Sequence, residues 1–314
     1  PEPAPENANR EQLRIQLKPI ARPKHCPPDR RRQKSPLASR QALHTRAHRP
    51  TFQRTTFVSM GLLSDKNIVV TGVLTDASLA FRFAQLAQRE GANIVLTGAG
   101  RGKSLTERTS KRLDTPAPVF EFDVTVPEHV ESVRKDVEGA LGRVDGVLHA
   151  IGFAPEICLG EDFLAATWKD VAVAMEISAY SLKTMADAFL PLMTNGASIV
   201  GLDFDNTIAW PAYNWMGVAK AALESANRYL AKDLGPRGIR CNLVAAGPIK
   251  TMAAKSIPGF AKFEDIWDER APLGWDVKDS EPVAKACIAL MSDLFPATTG
   301  EIIHVDGGFH AVGA

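Results

Sequence analysis

Short runs of β-branched and other apolar residues alternate with longer helix-period stretches along most of this chain, and that alternation constrains the fold more than any other feature. Strand candidates are Asn67–Thr71, Asn93–Thr97, Pro118–Phe122, Gly146–Ala150, Ser198–Leu202, Arg240–Ala245 and Glu301–Val305. Helix candidates fall between them, near Ser78–Glu90, Ser104–Leu113, Glu128–Leu141, Trp168–Met193, Pro211–Leu234 and Pro282–Ser292. Runs such as Ile68-Val69-Val70 are apolar without alternation, as strands covered on both faces must be. Parallel strands joined through helices cross over right-handedly. The expected architecture is a single doubly wound Rossmann-type α/β domain, with a seven-stranded parallel sheet and helices on both faces, over residues 60–314.

The first 59 residues have a different composition. They hold 13 of the 37 Lys and Arg but only four of the 36 Asp and Glu, so the net charge of +1 conceals a basic leader and a mildly acidic body. A stretch such as Pro27-Pro28-Asp29-Arg30-Arg31-Arg32 cannot bury enough apolar surface to offset its ordering entropy. Residues 1–59 are therefore expected to be a disordered or non-native leader, with Met60-Gly61-Leu62-Leu63 opening the folded body. An Arg-rich, acid-poor organellar transit segment is the alternative.

An acidic body does not favour nucleic acid as a partner, because neutralising phosphates requires a basic face. The four cysteines, Cys26, Cys158, Cys241 and Cys287, are widely spaced and form no C-x-x-C pair, which fits free thiols in a reducing compartment and not a zinc site. No apolar run reaches the ~20 residues of a membrane span. A cytoplasmic protein is the expectation.

In a doubly wound sheet, ligands bind beyond the carboxyl ends of the strands. The first strand runs into Thr71-Gly72-Val73-Leu74-Thr75-Asp76-Ala77-Ser78-Leu79-Ala80, where only Gly72 remains of the three glycines usual in a dinucleotide turn. Ser78 and Ala80 are small enough for close approach, and a helix N-terminus there would favour an anion. The second strand ends without an acidic residue to meet a ribose, and Arg101 and Lys103 are either contacts to a 2′-phosphate or solvated loop charges. NADH and NADPH thus both stay open on physical grounds. Asp123 follows the third strand and Gly152 the fourth, the one offering a carboxylate and the other close backbone approach. His149 reads as a hydrogen-bonded core residue.

After the fifth strand come Asp203-Phe204-Asp205 and then Pro211-Ala212-Tyr213-Asn214-Trp215-Met216-Gly217-Val218-Ala219-Lys220. With Pro211 in the first turn of a helix, Tyr213 and Lys220 would share a face, roughly 10 Å apart along the axis. A phenol can donate to a substrate oxygen while a lysine holds ribose hydroxyls and adds positive field. The same pair also suits a plain amphipathic helix with a solvated lysine.

With the surrounding strands and the terminal Glu301-Ile302-Ile303-His304-Val305-Asp306-Gly307-Gly308, the body resembles the short-chain dehydrogenase/reductase superfamily. Ordinary members place tyrosine four residues before lysine, where this chain has Met216, and they carry a strand-five serine where it has Asp203 and Phe204. The Tyr-x6-Lys spacing is instead similar to the divergent enoyl-acyl-carrier-protein reductases of type II fatty-acid synthesis. Thr75-Asp76, Ile151-Gly152-Phe153, Asp203-Phe204-Asp205, Pro211–Met216, Asn242–Ile249 and Arg270-Ala271-Pro272 resemble the actinobacterial branch.

That resemblance implies NADH-dependent reduction of a trans-2-enoyl thioester on acyl-carrier protein, in a cytoplasmic homotetramer. It implies that Tyr213 meets the thioester carbonyl, Lys220 the nicotinamide ribose, and that Phe204 lies beside the nicotinamide. It implies a dinucleotide lined by Gly72, Ser78, Leu79, Asp123, Val124, Ile151, Gly152, Lys220, Ile249 and Thr251. Phe153, Leu159, Tyr213 and Met216 would shape the acyl site with the Thr251–Phe263 segment. Two departures stand out. Ala99 replaces an aromatic residue expected against adenine, and the stretch between Thr251 and Arg270 is short, which suggests ordinary membrane acyl lengths. A 3-oxoacyl reductase of the same superfamily and a non-catalytic NAD-sensing protein are the competing expectations.

Overall fold

The computed structural model describes residues 61–254 and 257–313, so the expected leader over 1–59 lies outside the described residues. Seven strands form one sheet: β1 (Asn67–Thr71), β2 (Asn93–Gly98), β3 (Val119–Glu121), β4 (Gly146–His149), β5 (Ala197–Asp203), β6 (Ile239–Ala246) and β7 (Ile302–Val305). Their order is β3-β2-β1-β4-β5-β6-β7, and every pairing is parallel. The centre of the sheet is in register at Val69, which faces Val95 on one side and Val147 on the other. The helices are α1 (Leu79–Arg89), α2 (Arg101–Ser110), α3 (Pro127–Leu141), α4 (Trp168–Met175), α5 (Ser181–Phe189), α6 (Asn214–Leu234), α7 (Ala261–Arg270) and α8 (Glu281–Met291).

The continuous apolar strands are explained by two cores, one on each face. Ile68, Val70, Leu96, Leu148, Val200 and Val244 point to the face covered by α1 and α8, against Ala80, Phe83, Val283 and Ile288. Val69, Val95, Val147, Ile199, Cys241 and Leu243 point to the other face, against Val133, Met185, Phe189 and Leu223 of α3, α5 and α6. Each fully buried Val, Leu or Ile side chain contributes roughly 1.5–3 kcal/mol. β1 and β4 are buried throughout, whereas the edge strands β3 and β7 are only half-buried. Cys158, Cys241 and Cys287 are free buried thiols. Among the described residues, no helix is long and apolar enough to cross a membrane.

Four helical stretches differ from expectation, the first being α2, which runs Arg101–Ser110 and so starts three residues before the expected Ser104–Leu113, directly after Gly100. The stretch Trp168–Met193 is not one helix: a π-helical turn, Glu176–Tyr180, separates α4 from α5, and Leu190–Leu192 tightens into a 3₁₀ turn around Pro191. The widened turn lies where Ser178 bonds both the N–H and the C=O of Phe153, and Ser181 bonds His149, so contacts to the β4 exit override helical regularity. α6 begins at Asn214 and not at Pro211, because Ala212 and Asn214 both take positive φ values (60° and 48°). α7 adds to the expected elements, with Phe260, Phe263 and Trp267 standing at helical spacing.

Gly72 shows how tightly the strand exits meet. Its φ is +80°, and a Cβ there would lie 2.2 Å from the carbonyl oxygen of Ala150, at the end of β4. Gly72→Ala is expected to cost at least about 2 kcal/mol, from left-handed strain plus backbone displacement. A urea titration showing an unchanged midpoint would contradict this.

Candidate active site

The strand order reverses between β1 and β4, which lie side by side, and a crevice at that point is where a doubly wound sheet binds nucleotides. Most of the expected cofactor residues stand at the carboxyl ends that border it. At the β1 exit, the Ser78 hydroxyl turns back to the Thr75 carbonyl and does not cap α1. The N–H groups of Leu79 and Ala80 therefore have no partner among the described residues, which leaves an anion-seeking helix end. Leu79 itself packs on the core beneath.

After β3, Asp123 accepts from the Thr125 N–H (3.0 Å) and hydroxyl (2.7 Å), which fixes its carboxylate, while Val124 packs on the second core. After β4, Ile151 packs on that core too, and Gly152 is exposed. The nearest atom a Gly152 Cβ would meet is Ser178 Oγ, at 3.8 Å. The protein itself therefore leaves that space open, as a dinucleotide passing over the backbone would require. After β6, Ile249 is buried, and the Thr251 N–H donates to its carbonyl at 2.8 Å. These residues fit a bound dinucleotide.

An acidic group does reach the β2 exit, but it comes from β3. Glu121 Oε1 accepts the Gly100 N–H at 2.7 Å, and Lys103 Nζ lies 4.0 Å from its other oxygen and 3.7 Å from Glu107. A search of the second strand's own sequence misses it, because only the β2–β3 pairing, with Gly98 opposite Glu121, brings it there.

At the β5 exit, Phe204 is the hub of an aromatic cluster. Its ring centroid lies 5.0 Å from Tyr213, 5.5 Å from Trp210, 5.9 Å from Trp267 and 6.0 Å from Phe263. Trp267 in turn stacks on Phe309 at 3.9 Å. Tyr213 is buried in this cluster, and its hydroxyl makes no hydrogen bond among the described residues. Met216 packs against both this cluster and a neighbouring one of Ala154, Cys158, Val171 and Ala174, which Leu159 also joins. Phe153 is not part of either group and stands exposed beyond β4. The structure therefore brings together Phe204, Tyr213, Met216 and Leu159, but not Phe153. Trp210, Phe263 and Trp267 complete the wall.

Tyr213 does not share a helical face with Lys220, since it sits in the turn before α6. Lys220 lies within α6, buried, with Nζ donating to the Leu202 carbonyl at 2.8 Å and 3.9 Å from Asp203 Oδ1. Both Asp203 oxygens are buried without a hydrogen-bond partner among the described residues. Desolvation dominates the electrostatics here. Burial pushes Asp203 up to about 7 even though the Lys220 charge pulls the other way, and burial lowers Lys220. Tyr213 is held above the usual phenol range, first by burial and then by the Asp203 charge, so it stays protonated. His149 drops to about 3, through burial and then the Lys220 charge. Its Nε2 lies 2.7 Å from Ser181 Oγ, whose hydroxyl donates to Ile177, so Nε2 carries the proton and Nδ1 is left unpartnered.

Asp203 couples folding to pH. Its pKa is higher folded than unfolded, so folding stability is greatest while the carboxyl is protonated and is lost as pH rises from about 4 toward 7. Relative to Asp203→Asn, the wild-type Tm should fall by roughly 4–8 °C between pH 5 and pH 7. A constant difference in thermal scans would mean that Asp203 titrates like a solvated carboxylate.

The comparisons with known proteins point to the same chemistry. Residues 72–310 match the family model described as Enoyl-(Acyl carrier protein) reductase. The chain is 49% identical over 262 residues to the NADH-dependent enoyl-acyl-carrier-protein reductase of Mycolicibacterium smegmatis, covering 79% of this chain and 97% of that protein. It is 47% identical over 261 residues to the protein of the same name from Mycobacterium avium, with the same coverage of both chains. The NADPH-dependent reductase FabI of Staphylococcus aureus (strain MRSA252) is 40% identical over 257 residues, covering 80% of this chain and 98% of that one. The chain belongs to the enoyl-acyl-carrier-protein reductase family.

Proposed function

We propose that this protein reduces the trans-2 double bond of enoyl thioesters carried on acyl-carrier protein, using NADH, as the last step of an elongation cycle. The observation that carries this reading is a buried phenol, Tyr213, whose hydroxyl has no partner among the described residues and which packs on Phe204 at the β5 exit. A phenol held in its protonated form suits hydrogen-bond donation better than proton exchange with an alcohol. Met216 stands where alcohol-oxidising relatives place tyrosine, and it is packed among apolar side chains.

NADH, when bound, supplies a hydride to the β-carbon of the enoyl group. Gly72, Ser78, Leu79, Asp123, Val124, Ile151, Gly152, Ile249 and Thr251 would hold it, and Lys220 would hold its nicotinamide ribose. As negative charge develops on the thioester oxygen, Tyr213 donates a hydrogen bond to it, and the buried Lys220 adds positive field in a low-dielectric setting. Phe204 and the tryptophans exclude water from that oxygen. A proton from solvent then completes the α-carbon, so that one hydride and one proton saturate the double bond while Tyr213 keeps its own. Glu121 at the β2 exit favours NADH, since a 2′-phosphate there would face a carboxylate. Phe263 and Trp267 of α7 fill the wall beside Phe204, which supports ordinary membrane over very long acyl chains. Leu159 and Met216 line the apolar side, and Phe153 stands at the entrance. A cytoplasmic homotetramer completes the proposal.

The decisive measurement is NADH oxidation with C4, C8, C12 and C16 enoyl thioesters, and with a 3-oxoacyl thioester as control. Turnover is expected on the C8–C12 enoyl substrates and not on the control. Silence on every enoyl substrate would sink the assignment, and fastest turnover at C16 would overturn the chain-length reading alone.

Tyr213→Phe should lower kcat about 10- to 100-fold with little change in NADH affinity, because its hydrogen bond forms mainly in the transition state. Lys220→Ala should instead weaken NADH binding about tenfold or more. Unchanged NADH affinity in that variant would refute the role of the lysine.

A further inference from the structure

Only three non-glycine residues among those described have φ in the left-handed region, and two of them, Ala212 (60°) and Asn214 (48°), flank Tyr213. Such a conformation costs on the order of 1–2 kcal/mol for an alanine, and somewhat less for an asparagine. Strain on both sides of one side chain persists only where surrounding contacts over-determine it. Those contacts come from a strap that crosses the turn, Gly160–Phe163. The Gly160 N–H donates to the Ala212 carbonyl at 2.9 Å. The Asn214 side-chain amide donates back to the Gly160 carbonyl at 3.2 Å. One residue further on, the Trp215 indole N–H donates to the Phe163 carbonyl at 3.1 Å, and the two rings stack at 4.5 Å and 13°.

Two of these bonds are clamped onto the residues immediately before and after Tyr213 and the third onto the next residue, and none of them engages the phenol. We propose that Asn214, bonded to the strap, is a positioning residue that holds the backbone at Tyr213 in the strained turn from which its hydroxyl meets the substrate oxygen. This rests on the reading of Tyr213 as the catalytic phenol. The residue type fits the task. Asparagine tolerates positive φ, and its amide reaches a backbone carbonyl that an alanine or a serine could not. Gly160 itself has φ of 90°, and among the described residues no heavy atom beyond its chain neighbours lies within 4 Å of the place a Cβ would occupy, so its glycine serves the strap's turn and not close packing. Met216 N–H bonds the Tyr213 carbonyl at 3.0 Å, so the same turn also sets the start of α6, the helix that carries Lys220.

The test is a double-mutant cycle on the full-length protein. Asn214→Gly keeps the conformational freedom and removes the amide, Trp215→Phe keeps the stack and removes only the indole donor, and each is made with and without Tyr213→Phe. Asn214→Gly should lower kcat about tenfold while NADH KM changes by less than about twofold, and the loss should shrink to less than about twofold in the Tyr213→Phe background. Trp215→Phe should follow the same pattern with smaller losses, and it serves as the readout if Asn214→Gly does not fold. Equal losses in the two backgrounds, or an unchanged kcat, would overturn the positioning role while leaving the catalytic reading intact. Native turnover in Tyr213→Phe alone would remove the catalytic reading, and with it any device acting through the phenol.

Discussion

A strand that is apolar on both faces must be covered by helices on both sides, and nearly everything in this protein follows from that constraint. Helical crossovers make the strands parallel, so all seven carboxyl ends emerge along the same edge. The order changes direction between β1 and β4, the point at which a doubly wound sheet binds its ligands. Gly72 marks how little room separates those exits, with its Cα region against the Ala150 carbonyl. Residues far apart in the chain, from Gly72 to Thr251, stand at the exits of one sheet edge only because the sheet delivers them there.

The electrostatics of the site are set by exclusion of water more than by ion pairing. Lys220 and Asp203 lie 3.9 Å apart, yet burial shifts each toward its neutral form, against the pull of its partner. The same low-dielectric surroundings keep Tyr213 a phenol and His149 a neutral imidazole. An arrangement of this kind suits a reaction in which charge develops transiently on a substrate oxygen, because donors already in place act strongly there. The aromatic cluster around Phe204 supplies the dryness on which that strength depends.

Much of the architecture is legible in the residues because period and burial leave clear marks. Each expected strand lies within about a residue of its observed bounds, since a buried strand is a short apolar run and its flanks are not. Expectation and structure part where tertiary contacts override local preference. The stretch Trp168–Met193 reads as one helix until Ser178 and Ser181 reach for the β4 exit. Pro211 reads as a helix start, but two left-handed residues delay α6 to Asn214. Glu121 cannot be read from the second strand as a group at the β2 exit, because it belongs to β3.

The order of residues alone specifies the sheet, the crossover helices and, through the seven-residue spacing of Tyr213 and Lys220 with Met216 between them, the resemblance to an enoyl reductase. These are local or periodic properties, written in residues near one another. How that pair is held emerges only from three-dimensional packing. Tyr213 sits in a strained turn under the Gly160 strap and not on the helix face, and Lys220 is buried beside Asp203, whose oxygens lack hydrogen-bond partners among the described residues. Both facts depend on segments tens of residues apart meeting at one strand exit, and no local pattern encodes the desolvation or the strain that such a meeting produces.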